Sequence, residues 1–138
     1  MPANSFPCRH ALLSLLALGC LVAPVFGRQH DPGDPGKVDV AWNRFYDYEG
    51  FVDIAEQLAE AYPEILTLES LGQSEQGREM WLLTMNNPAT GADTSKPAMW
   101  IDGNVHGNEV QATETVLYSA WYLAKSYGKV EQLTELID

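Results

Sequence analysis

Cysteine is nearly absent from this chain of 138 residues, and the two present, Cys8 and Cys20, both lie near the start. The rest has no disulfide framework and no thiolate metal site, so a metal would have to be held by His, Asp or Glu. Basic side chains are also few, 8 against 19 acidic ones, for a formal charge of −11. That shortage disfavours nucleic acid and anionic membrane surfaces as partners, because Lys and Arg supply the affinity for both. Histidine occurs three times, at 10, 30 and 106. Repeats and low-complexity tracts are absent. The one long apolar run, Ala11 to Phe26, is broken by Pro24 and falls short of the ~20 residues of a membrane span.

What is there begins with an export signal. Arg9 and His10 precede the apolar run, and Val25 and Gly27 occupy the positions read by a signal peptidase. Residues 1–27 are therefore expected to be a secretory signal, with a secreted or periplasmic product. The alternative is a lipid anchor at Cys20, against which Ala17 and the apolar residues after Cys20 both speak. Losing Arg9 with the leader would leave 7 basic and 19 acidic side chains, a charge of −12. Residues 28–44, rich in Asp, Pro and Gly, read as a flexible linker containing His30.

From residue 45 onward the periodicities change. Asp47 to Tyr62 reads as a helix, with Asp47 as N-cap and Glu49 in the first turn. Phe51, Ile54, Leu58 and Tyr62 line its apolar face, and Pro63 stops it. Ile65–Leu71 and Glu79–Met85 flank a polar turn and read as a hairpin. Ala98–Asp102 is apolar enough to predict a third strand buried on both faces. Val110–Tyr127 reads as a second helix ended by Gly128, with Val110, Thr113, Leu117, Trp121 and Ala124 on one side. Glu131 begins a further amphipathic segment. Helix, hairpin, strand, helix predicts an α/β layered domain, with function outside the carboxyl end of a strand.

His106-Gly107-Asn108-Glu109 lies at such a place. An imidazole and a carboxylate three residues apart can converge on one zinc ion, whose catalytic sites use three protein ligands and an open position. Two are evident here. The same residues also suit a plain helix start. Asn108 could cap, Gln111 could close a capping box, Glu109 could favour the positive helix end, and Gly107 could serve the turn.

Three stretches carry a family resemblance. They are Phe45-Tyr46-Asp47-Tyr48 leading to Ala61-Tyr62-Pro63, the turn Leu71 to Met80 with its Gly77-Arg78, and Pro97 through Glu109. In order and spacing, residues 45–138 resemble the N-terminal part of a zinc carboxypeptidase domain of the carboxypeptidase A-like family. The resemblance implies the N-terminal part of an α/β, mixed-sheet zinc carboxypeptidase (phosphorylase/hydrolase-like) domain, a zinc cofactor, and peptide or protein C-termini as substrates. It implies that His106 and Glu109 are the first two zinc ligands. Asn108 stands where the digestive enzymes carry a substrate-binding arginine, and the form His-Gly-Asn-Glu is closer to the regulatory branch. Arg78 matches a motif residue and is expected to fix the hairpin turn by hydrogen bonds.

In the family, a later His completes the metal site, a later Glu shuttles protons, and Arg and Asn residues grip the substrate carboxylate. None of these has a counterpart in residues 45–138, so catalytic residues are absent and the chain is expected to be a truncated, inactive piece of a longer enzyme. Two other readings stand beside the peptidase. One is an N-acyl amino acid deacylase of the aspartoacylase or succinylglutamate desuccinylase type, which shares the His-Gly-Asn-Glu form. The other is a non-catalytic pseudo-peptidase that uses aromatics such as Trp42 for binding.

Overall fold

A computed structural model describes residues 34–138. Residues 1–27, expected to be a signal, both cysteines and His30 lie outside the described residues. Five elements and one short turn follow in order: α1 (Tyr48–Ala61), β1 (Leu66–Gln73), β2 (Glu79–Met85), a 3-10 turn (Asp93–Ser95), α2 (Ala112–Ser126) and α3 (Glu131–Glu135).

α1 forms where its local signals converge. Asp47 Oδ1 accepts from Gly50 N at 3.0 Å, which satisfies one of the free N–H groups at the helix start. Ile54, Ala55 and Leu58 are buried along one stripe, continued by Tyr62 and Ile65 below the helix. The hairpin also forms as its pattern predicts. β1 and β2 pair antiparallel, with Leu66 opposite Met85 and Leu68 opposite Leu83, and the register is irregular between Ser70 and Gln73. α1 packs on the hairpin and on α2, whose Leu117, Trp121 and Ala124 complete the core.

Three expectations are corrected. Ala98–Asp102 is not a strand. Among the described residues the sheet has two strands only, β1 and β2. A strand needs a neighbouring edge to satisfy its N–H and C=O groups, and neither described strand pairs with this run. Its side chains stand in the open, Met99 at 85% exposure and Trp100 at 68%.

Second, residues 34–44 are not the end of a flexible linker. They lie packed against the helices. Val38 and Val40 are buried, and Trp121 Nε1 donates to Val38 O at 2.9 Å. Gly36 sits so close to α2 that a Cβ there would lie 2.7 Å from Lys125 Cβ. Lys125, itself buried, donates to Asp34 O at 2.7 Å and lies over the Trp121 ring. Trp42 meets Tyr118 edge-on at 5.2 Å and tilts against Trp121, so its ring is engaged in packing. Two buried valines and the aromatic contacts outweigh the local turn chemistry of the Pro and Gly residues.

Third, α2 begins at Ala112, and Val110 remains exposed rather than joining the apolar side. The cause lies in the turn that precedes it.

Candidate metal centre

The chain from Ile101 to Gln111 has no regular structure and runs as a set of tight turns into α2. Glu109 N donates to His106 O at 3.1 Å, and Ala112 N to Glu109 O at 3.0 Å. These successive i to i+3 bonds bring the two side chains of the predicted pair to the same side. His106 Nδ1 and Glu109 Oε1 are 2.8 Å apart, and Glu109 Oε2 accepts from His106 N at 3.2 Å. Both side chains are open to solvent, at 73% and 43% exposure. The His106 imidazole, and after it the His106 backbone N–H, hold the Glu109 carboxyl below the ordinary glutamate range, with desolvation opposing.

The capping box that Asn108 and Gln111 could make does not form. Asn108 makes no cap, and Gln111, at the helix boundary, makes no side-chain cap bond either. Asn104 supplies one instead, its Oδ1 accepting from Thr113 N at 3.0 Å. Sequence reasoning missed this role, although Gly103-Asn104 lies within the motif that carried the resemblance. The signal available was an Asn beside a Gly just before the turn, because Asn tolerates the left-handed conformation observed at φ 61°.

Asn108 is exposed on the rim of a shallow depression of about 340 Å³ that it shares with Glu109, Gln111 and Thr115. Arg78 lies in a different depression with Tyr48 and Ser74. Its guanidinium stacks over the Tyr48 ring at 5.6 Å. The hairpin turn is held by other atoms: Ser74 N donates to Arg78 O, and Ser74 Oγ accepts from Arg78 N. The hydrogen bonds expected of Arg78 at this turn are therefore made by its backbone.

Chemically the pair suits zinc. It offers one imidazole nitrogen and one carboxylate oxygen, both donor types that zinc takes. Bonds of about 2.0–2.2 Å in a tetrahedron separate ligand atoms by about 3.4 Å, so a sub-ångström adjustment of two exposed side chains would seat both on one ion. Among the described residues, no group of three His, Cys, Asp or Glu side chains converges. No helix among them is long and apolar enough to cross a membrane.

The turn sets an imidazole and a carboxylate side by side ahead of α2, and comparison with known proteins gives the family. The zinc carboxypeptidase family profile matches residues 51–138, and the chain belongs to that family. Membership implies a hydrolytic carboxypeptidase lineage and zinc. The chain is 31% identical to carboxypeptidase D of Rattus norvegicus over 100 residues, covering 72% of this chain and 7% of that protein. It is 32% identical to carboxypeptidase M of Mus musculus, covering 69% of the chain and 21% of that protein. Identity to carboxypeptidase B of Astacus astacus is 39% over 77 residues, covering 56% of the chain and 24% of that protein. The chain thus spans a quarter or less of the length of each of these relatives.

Proposed function

We propose that this chain carries two ligands of a catalytic zinc, His106 and Glu109, in a metallocarboxypeptidase that removes residues from peptide or protein C-termini. The observation that carries the reading is the convergence of His106 Nδ1 and Glu109 Oε1 to 2.8 Å on an exposed turn ahead of α2. Bound zinc supplies a Lewis acid and lowers the pKa of its water to about 7. His106 and Glu109 would hold that ion through the imidazole nitrogen and the carboxylate oxygen that face each other at this turn. Glu109 Oε2 accepts from the His106 backbone N–H, which fixes the carboxylate's direction. Asn108, beside them on the rim of the depression, has both a donor and an acceptor for a substrate amide or carboxylate. The third ligand and the proton-shuttling group come, on this reading, from residues other than those described. Residues 1–27 act as the export signal, so the site works outside the cytoplasm.

The test uses the full-length protein. Zinc content is measured by mass spectrometry after gel filtration for the wild type and for His106→Ala and Glu109→Ala. Near-stoichiometric zinc in the wild type and its loss in both variants is the expected result. Equal zinc in all three would overturn the ligand assignment. Hydrolysis of acylated amino acids but not of peptides by the wild type would replace the carboxypeptidase with the deacylase.

A further inference from the structure

The metal-bearing turn is closed at its base by two residues that are not ligands. Gly103 brings its backbone against the start of α2, where a Cβ would lie 2.8 Å from Ala112 C and 2.9 Å from Ala112 O. Asn104, next along, adopts φ 61° and sends its Oδ1 across nine residues to Thr113 N at 3.0 Å. His106 and Glu109 lie on the loop between these anchors. Helix α2 has no side-chain cap at its own boundary, so Asn104 satisfies one of the N–H groups that a helix start leaves free. The same bond determines where residues 105–111 leave and rejoin the fold.

We propose that Asn104 is a positioning residue for the metal pair. It holds the 104–113 loop closed so that His106 and Glu109 converge before any ion arrives. This rests on the zinc reading given under Proposed function. Two properties of Asn are required together: tolerance of the left-handed backbone and a side-chain oxygen of the right length. Asp has both. Gly has the first without the second, and Ala has neither.

The experiment compares Asn104→Ala, Asn104→Gly and Asn104→Asp in the full-length protein, with His106→Ala as control. Zinc affinity is read by chelator competition, and protection of the Thr113 amide by hydrogen exchange. Loss of an outer residue that orients ligands typically costs 10–100-fold in metal affinity. The Ala and Gly variants are expected to weaken zinc binding within about that range, with faster exchange at Thr113 and only the modest loss of stability that removal of a helix cap brings. Asp is expected to restore both readouts. If Ala does not fold, the Asp and Gly variants decide. Faster Thr113 exchange with wild-type zinc affinity would reduce Asn104 to a helix cap and overturn the proposal. Undiminished zinc in His106→Ala would instead overturn the ligand assignment, so the two failures are distinguishable.

Discussion

The apolar face of α1 and the segment 98–105 carry similar side chains and end in opposite surroundings. Leu58 is fully buried between the hairpin and α2, whereas Met99, Trp100 and Val105 are all at least two-thirds exposed. Both stretches satisfy the usual pattern for burial. The difference is the backbone. A helix closes its own hydrogen bonds and needs only a surface to pack on. An extended run needs a neighbouring strand as well, and neither β1 nor β2 pairs with 98–105. Side-chain hydrophobicity therefore predicts burial only where the element also has somewhere to place its N–H and C=O groups.

The sharpest way to break this comparison is to truncate one side chain from each region. Leu58→Ala is expected to lower unfolding stability by about 2–5 kcal/mol, the range for a buried leucine that leaves a cavity. Met99→Ala is expected to stay within about 0.5 kcal/mol, as exposed substitutions do. Urea unfolding followed by circular dichroism measures both. A loss at Met99 comparable to that at Leu58 would mean that 98–105 is covered in solution.

A smaller effect tests whether α1 owes its start to its own cap. Asp47→Ala removes the acceptor for Gly50 N and is expected to cost about 1 kcal/mol in the same experiment. No loss would show that tertiary packing alone sets the start of the helix.

The same division explains what could be read in advance. α1 and the hairpin were legible because capping, periodicity and turn chemistry act within a few residues. The third strand was misread because its existence depends on a partner. The packing of residues 34–44 was not legible because their Pro and Gly residues announce turns, while Val38 and Trp42 find their partners on α2, some 80 residues away. At the candidate metal centre the His106–Glu109 pair was visible at three-residue spacing. The Asn104–Thr113 closure was not, since its donor is a backbone N–H, which every residue but Pro carries.

The smallest expected effect concerns how the packed end of 34–44 is tied down by charge. Asp34 Oδ2 accepts from Lys129 Nζ at 2.8 Å, and Oδ1 from Gly36 N at 2.9 Å. Lys129, and after it the Gly36 N–H, hold the Asp34 carboxyl below its ordinary value of 3.8, with desolvation opposing. A folded-state value below the unfolded one means that the stabilisation is present above about pH 4 and is lost as pH falls through the folded value. Asp34→Asn keeps the size of the side chain and removes the charge. The gap in thermal midpoint between wild type and variant should therefore be small at pH 7 and close as the pH falls below 3.8. Salt should also shrink it at pH 7, because this pair is solvent-accessible. A gap that persists unchanged at low pH would show that Asp34 holds the segment by shape and hydrogen bonding, and that its attachment, like that of Val38 and Val40, is a matter of packing.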